Sequence, residues 1–299
     1  MQHVVITGGT GVVGTALTSF LLQKGYRVTI FTRNPTQYKE EKNLVYAAWD
    51  VAGRKIDTAL LNSADHVIHL AGAGLMAQRW SPAYKKEILE SRTKSSQLLL
   101  SAILPGSNIK TLVCASATGW YGADGQAPFV ESDPPATDFL GDTCRQWEDS
   151  ITPPSGFPRV CRLRTGIVLT KEEGAIGELA APLRYGVAAI PGNGKQVMSW
   201  IHMQDLVRMY HFAMEKRLEG TYNAVSPEPC PLSKLVNALG REYKGAFFIP
   251  VHVPAFLVKI IKGEGAEEIL KSTTVSCTKI RHAGFSFLYP SIEAAIEHL

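Results

Sequence analysis

The sequence has no pair of cysteines spaced C-x-x-C. Its five cysteines, Cys114, Cys144, Cys161, Cys230 and Cys277, are odd in number and widely scattered. That pattern argues against a disulfide framework and against a zinc site, and it fits a reducing compartment, so a cytoplasmic location is expected. No window approaches the ~18 consecutive apolar residues of a membrane span. The opening "MQHVVITGG" enters an apolar strand at once, without the basic and hydrophobic regions of a secretory signal. No membrane partner is expected. Nor does any block of lysine or arginine stand out: 31 basic against 27 acidic residues leave +4, too slight and dispersed for a nucleic-acid footprint. The chain has neither an internal repeat nor a low-complexity segment.

What is present is an ordinary globular composition, 45% apolar and 19% charged over 299 residues, enough for one large domain or two modest ones. The first two thirds alternate short β-branched runs with amphipathic stretches. "HVVIT" (3–7), "RVTIFT" (27–32), "LVYAAW" (44–49), "HVIHLAG" (66–72), "TLVCASA" (111–117) and "RVCRLRTGIVL" (159–169) read as strands. Their nearly continuous apolar character suits parallel strands covered on both faces. Between them, "GVVGTALTSFLLQKG" places Val13, Ala16, Leu17, Phe20 and Leu21 on one helical face and stops at Gly25. "SPAYKKEILESRTKSSQLLLSAIL" starts with Ser81 as cap and Pro82 at the first helical position. This alternation predicts a doubly wound parallel α/β sheet. After about residue 170 the rhythm loosens. "PGNGKQVMSW" reads as loop, "MQDLVRMYHFAMEK" as helix and "GTYNAV" as strand; beyond Pro229 come short helices such as "PAFLVKIIKG" and "AEEILKS". We expect a main domain over residues 1–228, with substrate-side segments from about 170, and a small, mainly helical C-terminal domain over 229–299.

"TGGTGVVG", Thr7 to Gly14, follows a strand and opens a helix, the context in which a glycine pattern signals dinucleotide binding. Gly8 permits the tight turn, Gly11 lets backbone approach a pyrophosphate and Gly14 allows close helix–strand packing, while Gly9, Thr10, Val12 and Val13 complete the loop. The helix N-terminus offers free N–H groups to the phosphates. The next strand ends "FTRNP". An acid there would hold a free ribose 2′-hydroxyl, but Thr32, Arg33 and Asn34 include none. The planar fork of Arg33 suits a 2′-phosphate, so NADP (as NADPH) is expected over NAD.

"TGGTGVVG", "DHVIHLAG" (65–72) and "SATGWYG" (116–122) together resemble the extended short-chain dehydrogenase/reductases. "RWSPAYKKEILESR", "DFLGDTCRQWE", "RLRTGIVLTKEEGAIGELAAPLRYG", "GNGKQVMSWIHMQDL" and "AGFSFLYPSIEAAI" are similar to one atypical branch, the sugar-nucleotide epimerase-like or cell-division-inhibitor-like family. The resemblance implies a Rossmann domain holding NADP(H). Thr32 and Arg33 would meet the adenosine phosphate and Asp50 the adenine. Leu70, Ala71 and Gly72 would line the riboses, and Glu87 and Arg92 would add contacts from the following helix.

In the superfamily a Tyr acts as general acid/base and a Lys four residues on depresses its pKa. In "DFLGDTCRQWE" those positions hold Leu140 and Cys144, and no Tyr-x-x-x-Lys occurs in this region under a one-residue slip. Three substitutes present themselves. Tyr121, with Ser116 or Thr118 beside it, lies just past the fifth strand; it is either the proton donor or an aromatic packed under the next loop. Cys144 is either a thiolate near a helix start or a small buried hydrophobe that touches cofactor. His202 in "SWIHMQDL" either builds the substrate side or is a structural histidine bonded to Asp205. Arg164, and after it Lys171, Arg184 and Lys195, are cations suited to a diphosphate or carboxylate. Two functions follow: an NADP-dependent oxidoreductase or epimerase acting on a small carbonyl compound or nucleotide sugar, or an NADP(H)-binding regulatory or interaction protein with little turnover.

Overall fold

The computed structural model describes residues 1–153, 159–171 and 174–299; of the segment 162–186 that carried part of the resemblance, residues 172–173 lie outside the described residues. β1 (His3–Thr7) leads through the glycine loop into α1 (Val12–Gln23), β2 (Arg27–Thr32), β3 (Leu44–Asp50) and a short β4 (Lys55–Ile56). Then follow α2 (Thr58–Asn62), β5 (His66–His69), the long α3 (Pro82–Ala102), β6 (Thr111–Ala117), α4 (Phe139–Ser150) and β7 (Arg159–Thr165). Past Gly166 come β8 (Ile167–Leu169), α5 (Gly174–Ala180), β9 (Val187–Pro191), β10 (Val197–Met198), β11 (Trp200–His202), α6 (Met203–Glu215) and β12 (Gly220–Ala224). The C-terminal part holds β13 (Cys230–Pro231), α7 (Leu232–Lys244), β14 (Ile249–Val253), α8 (Ala255–Lys262), α9 (Ala266–Leu270), α10 (Thr278–His282) and α11 (Ile292–Glu297).

Among the described residues the main sheet runs β12-β7-β6-β5-β1-β2-β3-β4. All its pairings are parallel except β3 with β4. Strands β1 and β5 are buried along their whole length, as parallel strands sandwiched by helices must be. On one face α1 and α6 contribute Leu17, Leu21, Tyr210 and Met214; on the other α2 and α3 contribute Leu61, Leu98 and Leu99. Each such side chain contributes roughly 1.5–3 kcal/mol on burial. Chain order reverses at β1, whose neighbours are β2 and β5. The register sets Thr7 level with Phe31 and with His69. The glycine loop, Arg33 and residues 70–72 therefore emerge at one sheet edge, at the topological switch point where such folds bind ligands.

Three local differences from the sequence pattern have physical causes. The run 159–169 is two strands, broken at Gly166, where a Cβ would sit 2.5 Å from the Ser199 carbonyl oxygen. There the chain leaves the main sheet, and β8 pairs with β11. "PGNGKQVMSW" carries β10 and the first residue of β11 instead of being loop throughout. The region expected to be mainly helical contains β14, parallel to β9; with Pro250 inside it, Pro254 after it and no buried face, its sequence shows no alternation.

The second layer has its own core. Leu169, Ile176, Leu183, Ile190 and Trp200 pack with Leu232, Leu235, Leu239 and Ile296. A cut at residue 228 divides this cluster. Strand β12 returns to the main sheet, and Val275, Ile280 and Phe285 from the C-terminal part join the α1/α6 core.

Candidate active site

The cradle at the switch point is built mostly from backbone. Gly8 has φ +71°, and a Cβ there would lie 2.8 Å from Leu70 C and Ala71 N, so both the turn and the approach of β5 require glycine. Gly14 is needed for packing: its Cβ would fall 2.4 Å from the Gly8 oxygen. Gly11 is different. A Cβ added there would meet only the Gly8 oxygen, at an ordinary 3.5 Å. The fold does not demand glycine at Gly11, and what its small size keeps open is the outer surface of the loop. No side chain caps α1 and no acid stands in its first turn. Thr10, Gly11 and Val12 are exposed. The first-turn N–H groups and the positive end of the helix dipole thus face outward, an arrangement suited to phosphate.

Around this loop, Arg33 is exposed at the end of β2, and its guanidinium has no hydrogen-bond or ion-pair partner among the described residues. Thr32 beside it is buried. One carboxylate oxygen of Asp50, Oδ1, accepts from the Gly53 amide at 3.0 Å and closes the β3–β4 turn. Leu70 donates its amide to the Thr7 oxygen at 2.9 Å, tying the end of β5 to the start of the loop. Arg92 donates to the carbonyls of Ile88 and Ala73 at 2.9 and 3.0 Å and lies over the Trp147 ring, while Gly72 leaves room for its stem. Glu87 is exposed and outside the cleft. Residues five apart on an α-helix differ by roughly 140° in direction. α3 therefore cannot turn both Glu87 and Arg92 to the cleft.

A buried relay fixes the angle between these pieces. Ser96 Oγ donates to the Arg92 carbonyl at 2.8 Å, so it accepts from His69 Nε2 at 3.1 Å; His69 Nδ1 then accepts from Thr7 Oγ1 at 2.6 Å. These bonds assign a neutral imidazole. Burial holds the His69 pKa at about 4, consistent with that state.

Beyond the cradle opens a cavity of about 950 Å³ between the sheet edge and the second layer. Val12, Val13, Arg92, Thr118 and Cys144 line its near wall; the far wall comes from α5, β10, α7 and α8. Asp138 caps α4, accepting from the Gly141 amide at 2.8 Å, and so points Leu140 and Cys144 at the cavity. Burial pushes the Cys144 thiol up to about 12, and its Sγ approaches the Ala117 oxygen at 3.8 Å. It is a protonated thiol, not a thiolate.

The other reactive-looking residues lie beneath this surface. Tyr121 is wholly buried and stacked on Phe129. Its hydroxyl donates to Asn223 Oδ1 at 2.7 Å and accepts from Arg164 at 3.0 Å, and burial raises its pKa. Arg164 grips Glu148 with two bonds, at 2.8 and 3.0 Å, and lies 3.6 Å over the Trp120 ring. Ser116 donates to the same carboxylate at 2.6 Å. None of Ser116, Tyr121 and Arg164 lines the cavity; of the expected catalytic group only Thr118 does. The sequence expectations for Tyr121, Ser116 and Arg164 are thereby corrected: a buried ion pair needs every donor satisfied, and these side chains supply one another. His202 caps α6, Nδ1 accepting from the Gln204 amide at 3.1 Å and Nε2 facing the His298 oxygen at 3.3 Å. Asp205 instead holds the Leu288 and Tyr289 amides. Neither His202 nor the cations Lys171, Arg184 and Lys195 reach the cavity lining.

Comparison with known proteins agrees with this geometry. The NAD dependent epimerase/dehydratase family matches residues 4–139, and a domain of unknown function, DUF1731, matches 253–299. An epimerase family protein of Mycobacterium leprae is 31% identical over 298 residues, 99% of this chain and 94% of the relative. This chain belongs to the epimerase family. Among solved structures, the epimerase family includes the human protein SDR39U1 with NADPH, 28% identical, with a TM-score of 0.88 over 99% of this chain and 98% of that one. The nucleoside-diphosphate sugar epimerase from Corynebacterium glutamicum is 29% identical, with a TM-score of 0.77 over 99% of this chain and 57% of that one.

In this epimerase family member the sequence reading passed over two cavity-lining groups. Glu268 of α9 and Lys271 just after it form an ion pair at 2.6 Å, and Lys271 reaches the Asp138 carboxylate at 3.4 Å. A pair from the C-terminal part thus meets the residue that caps α4. Gln196 fixes the segment by donating to the Ile269 carbonyl at 3.1 Å, and the Val197 amide donates to Ser272 Oγ at 3.0 Å. "AEEILKS" shows only helical periodicity in sequence; a Glu-x-x-Lys spaced i,i+3 is too common to signal more.

Proposed function

We propose that this protein is an NADPH-dependent oxidoreductase of the extended short-chain dehydrogenase/reductase type, acting on a small molecule with a carbonyl or alcohol group. The observation that carries this reading is Arg33, a guanidinium without a partner at the end of β2, beside an uncapped α1. A 2′-phosphate matches that fork, and no carboxylate is there to hold a free 2′-hydroxyl. The solved relative named with NADPH supports the same choice. Gly8 to Gly14 would hold the pyrophosphate, and Leu70 to Gly72 with Arg92 would border the ribose side. The nicotinamide, when bound, supplies hydride chemistry. On the protein side, Thr118 offers a hydroxyl to orient the reacting oxygen. Glu268, whose pKa burial raises, and Lys271 form the ionisable pair able to exchange a proton at the cavity wall. The five cysteines are all buried and free, which suits a cytoplasmic setting, and among the described residues no helix is long and apolar enough to cross a membrane.

A second reading is favoured by one feature. Apolar Leu140 and a neutral Cys144 occupy the helix positions of the usual acid/base pair. This favours a dinucleotide-binding regulator with little turnover. Titration calorimetry with NADPH and NADH separates the possibilities at their root. Wild type should prefer NADPH, and Arg33→Ala should lose about tenfold to a hundredfold for NADPH while leaving NADH unchanged. Equal affinity for the two cofactors would refute the NADP assignment.

A further inference from the structure

The cavity beyond the cradle carries its own chemical information, and the inference from it rests on the dinucleotide reading above. Its far wall is apolar: Ile176 and Leu179 from α5, Met198 from β10, Leu235 from α7, and Val258 and Ile261 from α8. The cations among its lining residues are Arg92, Lys262 and Lys271. Arg92 is spent on two backbone carbonyls at the cofactor side. Lys262 is paired with Glu178 at 2.5 Å, and Lys271 with Glu268 and Asp138. Each lysine brings its own carboxylate into the same site. Both lysines at the substrate end are thus paired with carboxylates, and the charge of Arg92, which neutral carbonyls do not cancel, lies on the cofactor side, so a doubly charged diphosphate at the substrate end would meet no free lysine.

The entrance has the same character. Ile261 lines the cavity yet is 65% exposed, and Phe256 and Ile260 on the same helix are 62% and 64% exposed. A soluble protein seldom leaves large side chains together in water without a use for them. The rim and the interior form one apolar path to the cleft, interrupted by the Glu268–Lys271 pair and by hydroxyls such as Thr118.

We propose that the substrate is an apolar carbonyl compound, or the matching alcohol, with a hydrocarbon body seated between α5, α7 and α8 and the oxygen turned toward Thr118 and the Glu268–Lys271 pair. The pairing of both lysines in the same walls disfavours the diphosphate of a nucleotide sugar. When bound, the nicotinamide would supply the hydride chemistry, and Glu268 with Lys271 would pass the balancing proton between solvent and the oxygen, so that NADPH, a proton and the carbonyl compound would give NADP and the alcohol.

The test uses the full chain loaded with oxidised NADP, so that no turnover adds heat, with a homologous series of straight-chain aldehydes and, separately, UDP and UDP-glucose, each titrated by calorimetry. Affinity for the aldehydes should improve about fourfold per methylene until the cavity is filled, with no heat from UDP or UDP-glucose. Ile261→Asp changes an exposed rim residue and should fold normally; it should weaken the long aldehydes several-fold and leave NADPH binding intact. Glu178→Gln, which frees Lys262 from its carboxylate, should create measurable UDP binding. A flat chain-length series, or UDP-glucose bound more tightly than the longest aldehyde, would overturn the proposal. If NADPH itself fails to bind, the cofactor reading falls alone. The same aldehyde series on the free protein then still decides this one, because the apolar walls belong to the fold.

Discussion

The rim of the sheet at β1 and β5 and the buried network on β6, β7 and the segments packed against them make opposite use of their residues. At the rim there is little side-chain chemistry: glycines, a valine, an alanine, and Arg33 standing free. Yet its backbone amides are uncapped and its surface is open. On β6, β7 and the segments packed against them stand a tyrosine, a serine, an arginine and a glutamate, the residue types that suggest catalysis. All are buried, and each is bonded to another. Reactive side chains satisfied by one another hold a fold together; sparse backbone left unsatisfied at an edge is poised for a ligand. Availability, more than residue type, distinguishes a site from a strut.

The contrast can be broken most forcefully at Arg164. Arg164→Met leaves Glu148 buried without its partner, and the expected cost is about 3–5 kcal/mol in urea unfolding. NADPH affinity of the folded protein should not change. A variant that kept its stability but lost the cofactor would move Arg164 from strut to site.

The rim can be probed through His69. Its folded pKa is held near 4 against about 6.5 for an unperturbed imidazole, so below pH 6.5 the unfolded chain takes up a proton that the folded one refuses. Stability is complete above that pH and falls as pH drops toward 4, by roughly 3 kcal/mol from this group. Burial holds His66 near 4 too and acts in the same direction. Unfolding curves at pH 7 and pH 5 check this. His69→Gln should flatten the slope, and an unchanged slope would remove His69 as its source.

Tyr121 gives the smallest effect and the sharpest discrimination. Tyr121→Phe deprives Asn223 and Arg164 of one partner each, worth about 1–3 kcal/mol. NADPH binding and any NADPH consumption should stay as in wild type. Lost turnover at unchanged stability would return Tyr121 to the catalytic group.

How much of this was legible from residues alone differs from motif to motif. The parallel core strands, the glycine loop and Gly25 as the end of α1 follow from local pattern, because apolar runs and glycine conformations act within a few residues. Arg33 could be read as well, since its meaning lies in what its neighbours are not. The break at Gly166 was not visible, because it depends on Ser199 more than 30 residues on in sequence. The roles of Glu268 and Lys271 were hidden for the same reason: their partner Asp138 is 133 residues from Lys271.

By itself the sequence determined the layered α/β architecture, the glycine cradle and an α4 that carries no Tyr-x-x-x-Lys. Each is written in contiguous residues and enforced by short-range sterics and hydrogen bonding. Only the tertiary structure decided that Tyr121, Ser116, Arg164 and His202 are internal supports, and that a largely apolar cavity, its lysines paired with carboxylates, faces the cradle. Burial and charge pairing depend on which distant segments meet, and that is settled when the second layer packs onto the sheet edge.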